Sequence, residues 1–226
     1  ALCRARRRKC GCDRRRAGCF RAAPAAGEEV LVKIGVAAPL TGPQSHYGKG
    51  IENAVRMAAD EANASGLVIG GKNIKFEVLA EDDQADPKTA TTVAQKLVDA
   101  KISGVVGHMN SGAGIPASKI YMDASIPQIS ASMTAVAYTA QGYPTTYRVM
   151  ANDAQQGKVL GEYATGKWGA KKVVLIDDRT AYGQGVADEF EKGVTAAGGT
   201  VVGREFTNDK ATDFNAILTT LKAKKP

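Results

Sequence analysis

From Glu28 onward, short β-rich runs and longer helical runs alternate, and this alternation limits the architectures open to the chain. VLVKIGVAAPL (30–40) reads as a buried strand, IENAVRMAADEANA (51–64) as an amphipathic helix and KFEVLAEDD (75–83) as a second strand. PKTATTVAQKLVDA (87–100) is a helix opened by Pro87, a residue whose fixed φ suits the first helical position. SGVVGH (103–108) follows as a short buried strand, then helix 112–124, strand PQISA (127–131) and strand TYRVM (146–150). The pattern continues with helix 154–167, strand KKVVLIDD (171–178), helix 183–197, strand TVVGREF (200–206) and helix 212–224. Strand and helix in turn imply an α/β fold, a parallel sheet with helices on both faces.

In such sheets ligands bind beyond the carboxyl ends of the strands, where loops lead into helix N-termini. Two hydroxyl clusters occupy that position. Asn110, Ser111 and Gly112 follow SGVVGH, and Ser130, Ser132 and Thr134 follow PQI. Unpaired N–H groups and the positive end of the helix dipole favour an anion there, and two adjacent clusters suggest a carboxylate. Ser, Thr and Asn also cap helices routinely, which would account for a single cluster. Two clusters on consecutive strands point to a site.

The net charge of +7 raises nucleic acid or a membrane surface as partners. Its distribution argues against both. Residues 1–22 hold nine of the 30 Lys and Arg but only one of the 23 acids, so the remainder carries about −1. The same stretch contains every cysteine, Cys3, Cys10, Cys12 and Cys19, in a spacing that matches no common zinc motif. Residues 1–27 therefore read as an atypical Arg/Cys-rich leader, disordered or misread, and stand outside the fold. RAAPAAGEE lacks the apolar run of a secretory signal. No metal, cofactor or nucleic acid is expected.

Enzyme motifs are missing where they would be needed. The first strand-to-helix turn, APLTGPQSHYGKG, lacks G-x-G-x-x-G, and YGQGVAD offers Gly183 and Gly185 with Asp188 where a third glycine belongs. There is no P-loop and no G-x-S-x-G elbow, and the only histidines are His46 and His108. His108 follows a buried strand and reads as a packed histidine with no paired nucleophile. Catalysis is not expected.

Five separated segments carry a family resemblance: VKIGVAAPLTGPQSHYGKGIENAVRMAADEANASG, FEVLAEDDQADPKTA, VVGHMNSGAGIPASKIY, IPQISASMTAVAYT and VVLIDDRTAYGQG. In order and spacing they resemble the leucine/isoleucine/valine-binding proteins, substrate-binding components of ABC transporters for branched-chain amino acids. The likeness runs from about Val32 to Leu221. It implies a type I periplasmic-binding-protein-like fold: two Rossmann-like lobes with parallel sheets, and ligand in the cleft between them. Lobe one would span 28–150 and the first part of an incomplete lobe two 151–226, with a hinge near Met150–Asp153.

The resemblance also implies roles. Ser111 and Thr134 fall on the ligand-carboxylate binders, and Ser132 on a position whose backbone carbonyl receives the ligand ammonium. Met109, Asn110 and Met133 would shape the neighbouring wall, and Tyr47 and Tyr182 would line the side-chain pocket, Tyr182 from lobe two. Ala85 and Asn110 stand where the best-known members form a disulfide, so that bridge cannot form and Asn110 sets an amide beside the ligand. The family continues past LKAKKP, and an acid for the ammonium and one aromatic wall would lie beyond Pro226; the chain as written would bind weakly and expose a sheet edge. The implied partners are a small amino acid and an inner-membrane ABC permease, the implied setting is the periplasm, and the full-length protein would be a monomer. The alternative on the same fold is a ligand-sensing clamp for amides or aromatic acids, because fold does not settle function. A DNA-binding regulator would need a helix-turn-helix ahead of the clamp, which residues 1–27 cannot form.

Overall fold

The computed structural model describes residues 28–208 and 210–226. The Arg/Cys-rich leader, with the expectations attached to it, lies outside the described residues. The first sheet has six strands in the order β2-β3-β1-β4-β5-β6. Its centre is β1 (Glu29–Ala38), paired in parallel with β3 (Lys72–Asp82) on one side and β4 (Gly104–Gly107) on the other. β5 (Gln128–Ser130) and β6 (Thr146–Arg148) extend the parallel order, while β2 (Val68–Ile69) is a short antiparallel edge. Because β1 lies between β3 and β4, the crossovers on its two sides leave in opposite directions. That reversal opens a crevice at the carboxyl ends of β1 and β4, where ligands of open α/β sheets lodge.

The helices connecting these strands are α1 (Ser45–Ala64), α2 (Pro87–Asp99), α3 (Ser111–Asp123) and the short α4 (Val136–Ala140). α2 begins as the sequence predicts, with Pro87 at its first position and the Asp86 carboxylate accepting from the Thr89 N–H at 2.7 Å. Val93, Ala94 and Leu97 of α2 and Ala117 and Tyr121 of α3 close over Ala37 and Val105, the main core of this sheet. Small residues at Ala37, Ala94 and Ala117 let helix and sheet backbones approach closely.

The second sheet pairs β7 (Lys172–Asp177) with β8 (Thr200–Phe206) in parallel. α5 (Asp153–Glu162) passes into a π-helical turn at Tyr163–Lys167, and α6 (Ala181–Ala196) and α7 (Asn215–Ala223) complete the segment. α5 and α6 meet backbone to backbone: a Cβ on Gly157 would stand 2.5 Å from the Glu189 carbonyl carbon, and one on Gly161 2.5 Å from that of Gly193. Arg204 on β8 ties sheet to helix through Asp177 at 2.8 Å and Asp188 at 2.6 Å.

Several boundaries differ from expectation. α1 starts at Ser45 rather than Ile51, because the buried Gly48 lets the first turn lie against the Pro39 carbonyl. Tyr47 is thus helical. α6 starts at Ala181, which places Tyr182 in its first turn. β2 and α4 were not anticipated, being too short to show a period. Helix 154–167 is an α-helix only to Glu162.

Candidate ligand site at the ends of β1, β4 and β5

The two hydroxyl clusters lie on neighbouring loops and are bonded to one another. Ser130 Oγ accepts the N–H groups of Ser132 and Met133 at 3.2 and 2.8 Å and donates to the His108 carbonyl at 3.4 Å. Ser132 Oγ donates to the Met109 carbonyl at 2.9 Å, and the Ala135 N–H donates to Ser111 Oγ at 3.3 Å. One continuous shelf results. Beneath it His108 Nδ1 bonds Asp83 Oδ2 at 2.7 Å and His108 Nε2 faces the Tyr121 hydroxyl at 3.3 Å. All three side chains are fully buried, so His108 is packed into the core and holds the base of the loop.

Ser111 opens α3, and its N–H is among the first of that helix, which have no intrahelical partner. The Ser111 hydroxyl accepts from Ala135 and keeps its own proton to donate. Thr134 sits across from it. Its carbonyl is held by Arg148 Nη1 at 2.6 Å and by the Asp153 N–H at 2.8 Å. Arg148 also donates to the carbonyls of Met133 and Ala135 at 3.2 and 3.1 Å and to Thr139 Oγ1 at 2.8 Å. One rigid guanidinium therefore gathers three consecutive carbonyls of the loop that carries Thr134, a fork that lysine could not reproduce.

Thr134 Oγ1 and both carboxyl oxygens of Asp153 are buried and find no other partner among the described residues, so the hydroxyl and the carboxyl face one another. Asp153, the first residue of α5, is completely buried. Burial raises its pKa above the ordinary carboxylate value; Glu189 pushes the same way, while the Thr134 hydroxyl and the Arg148 guanidinium favour the charged form. Sequence reading missed both Asp153 and Arg148. Nothing in ANDAQQG separates Asp153 from an ordinary acid in a first helical turn, and only its tertiary burial does so.

The other expected residues are distributed unevenly. Met109 and Asn110 are partly buried on the shelf, Asn110 as the residue before α3, with its Nδ2 donating to Gln44 Oε1 at 2.8 Å. Tyr47 in α1 and Tyr182 in α6 remain 61% and 45% exposed, free to cover something small. Met133 departs from the expected wall: it is fully buried, its sulfur filling the notch left by Gly114 of α3. The N-termini of α3 and α6 face each other, since a Cβ on Gly112 would lie 3.9 Å from that of Ala181. Helix dipoles from both sides thus point at one space, which favours an anion. Among the described residues no group of three or more His, Cys, Asp or Glu could hold a metal, and no helix is long and apolar enough to cross a membrane.

A switch-point crevice lined by helix N-termini, with a second α/β unit beside the first, is the architecture of two-lobed α/β ligand-binding folds. The chain belongs to the periplasmic binding protein family, which matches residues 31–226. A Leu/Ile/Val-binding protein homologue from Brucella abortus is 38% identical over 194 residues, covering 86% of this chain and 51% of that protein. A leucine-, isoleucine-, valine-, threonine- and alanine-binding protein from Pseudomonas aeruginosa is 36% identical over 84% of this chain and 50% of its own length. The isoleucine-bound crystal structure of the branched-chain amino acid transporter substrate-binding protein LivJ from Streptococcus pneumoniae superposes with a TM-score of 0.74 at 34% identity, covering 85% of this chain and 54% of that one. The chain spans about half the length of the relatives it matches.

Proposed function

We propose that this protein is the substrate-binding component of an ABC transporter and takes up a branched-chain or related small amino acid between two lobes. One observation carries the reading. The donor-rich start of α3 at Ser111 lies beside a buried pair, the Thr134 hydroxyl and the Asp153 carboxyl, which have no partner but each other among the described residues. A zwitterion removed from water needs donors for its carboxylate and an acceptor of negative charge for its ammonium. Ser111 and Thr134 supply the first, and Asp153, with the Ser132 carbonyl, supplies the second. Tyr47 and Tyr182 then close over the ligand side chain, and Met109 borders it.

Residues 28–150 form lobe one, residues 151–226 belong to lobe two, and the chain crosses between them near Met150–Asp153. Ligand binds lobe one first, and closure brings the α6 N-terminus and Tyr182 onto it. The closed form is the one a membrane permease recognises, and that preference couples capture to transport. The working compartment is the periplasm, and the unit is a monomer. Relatives whose names or structures specify leucine, isoleucine, valine, threonine or alanine support the ligand class.

The test is a thermal-shift screen of the twenty amino acids and simple carboxylates against the protein as its gene encodes it, stripped of ligand. A ligand at 100 times its Kd should raise stability by about 2.7 kcal/mol. A shift with leucine, isoleucine, valine or a close relative, lost in Ser111→Ala and Thr134→Ala, is expected. A response to aromatic acids or amides alone would replace the transporter ligand with that of a sensor.

A further inference from the structure

Asn110 and Gln44 meet at the reversal of strand order. Gln44 belongs to the loop leaving β1, and Asn110 ends the loop leaving β4, so their 2.8 Å hydrogen bond spans the crevice between those strands. Although Asn110 immediately precedes α3, its side chain makes no capping bond to that helix. It turns instead toward Gln44. The bond to Gln44 uses the Asn110 amide nitrogen, whereas the carbonyl oxygen, Oδ1, is buried and has no partner among the described residues.

A buried acceptor without a donor costs about 1–3 kcal/mol, and such an atom in a native protein calls for a partner. Asn110 immediately precedes α3, whose start lies close to that of α6: a Cβ on Gly112 would stand 3.9 Å from the Cβ of Ala181. The Ala113 and Gly114 N–H groups of α3 are both bonded to the Asn110 carbonyl rather than to Oδ1. A ligand lodged in the crevice that the Asn110–Gln44 bond spans can supply the donor.

Resting on the amino-acid reading above, we propose that Asn110, oriented by Gln44, determines specificity by accepting a hydrogen bond from a ligand side-chain hydroxyl. The substrate class is then a small amino acid bearing a β-hydroxyl, and threonine is favoured over its isostere valine. A pocket built to pair with a hydroxyl discriminates strongly against the analogue lacking it, because the protein's own polar group is left unsatisfied. An apolar pocket of equal shape would rank the pair the other way.

Calorimetric titration of threonine and valine, against the wild type, Asn110→Ala and Asn110→Leu, tests the assignment. Threonine should bind about tenfold more tightly than valine to the wild type, the equivalent of one net hydrogen bond. In both variants the ratio should fall to one or invert, with valine affinity retained. Valine preferred by the wild type, a ratio unchanged by the substitutions, or an equal loss of both ligands would each overturn the role of Asn110. Should the wild type bind neither threonine, valine nor any other amino acid, the parent reading fails and this one with it. Melting temperatures of the unliganded variants identify any that fail to fold, and Gln44→Ala then provides a second variant that leaves Asn110 in place but unoriented, with the same loss of discrimination expected.

Discussion

Asp153 is a buried acid at the start of α5, beside the Thr134 hydroxyl and the Arg148 guanidinium. Its carboxyl is wholly buried and raised in pKa chiefly by burial, against the opposing pull of Thr134 and Arg148. For an acid whose folded pKa exceeds its unfolded value, the folded state binds the proton more tightly. Its contribution to stability is therefore most favourable below about pH 3.9, the ordinary Asp value, and is lost as pH rises through the folded pKa. Asp153→Asn removes that loss. The unliganded variant should be more stable than wild type at neutral pH, with a flatter pH dependence above pH 4. Denaturant titrations at pH 4, 5.5 and 7 check this, and a variant destabilised at every pH would show that the carboxylate is held by partners. Amino-acid binding should move the opposite way and weaken, whereas a deaminated carboxylate should be unaffected. Ser111, Ser132 and Thr134 are legible in the sequence as candidates, because hydroxyls after two consecutive strands form a local pattern. Asp153 and Arg148 are not, since their roles depend on which distant groups surround them. Met133 misled for the converse reason: its neighbours in sequence belong to the shelf, but its side chain fills a notch in α3.

At the scale of elements, the contact of α5 with α6 depends on the absence of side chains. Gly157, Gly161 and Gly193 stand where the two backbones touch, and a Cβ on Gly193 would lie 2.7 Å from the Gly157 carbonyl oxygen. Alanine normally favours a helix interior over glycine by about 1 kcal/mol. Here the neighbouring atoms are backbone and cannot rotate away. Gly161→Ala should therefore destabilise by about 1–3 kcal/mol despite the better propensity, the usual penalty for overpacking. Urea unfolding followed by circular dichroism measures it, and a gain in stability would mean that the helices can separate at little cost. The long elements were legible in the sequence through their hydrophobic period. The start of α1 was not, because Gly48 and Gly50 depress helix propensity while the Pro39 carbonyl rewards the glycine that approaches it. The π-helical turn at Tyr163–Lys167 leaves the helical pattern intact and so was read as helix.

For the whole molecule, the proposed mechanism requires the starts of α3 and α6 to separate and meet again. In this structure they are together: the Cβ position of Gly112 lies 3.9 Å from the Cβ of Ala181, within the range that a disulfide spans. Gly112 has an ordinary helical backbone, so a side chain there introduces no strain. Gly112→Cys with Ala181→Cys, in a background where Cys3, Cys10, Cys12 and Cys19 are serine, makes an internal reporter of closure. A ligand that prefers the closed form must raise its population, since it can shift the equilibrium only by its differential affinity. Cross-linking under a mild oxidant should therefore proceed faster with bound amino acid than without. Once the bond has formed on a loaded protein, release should slow sharply and recover on reduction. Disulfide formation at the same rate with and without ligand, followed by unhindered release, would mean that the two helix ends stay together through the binding cycle. Ligand would then have to enter a preformed crevice, and the coupling of capture to transport would need a different moving part.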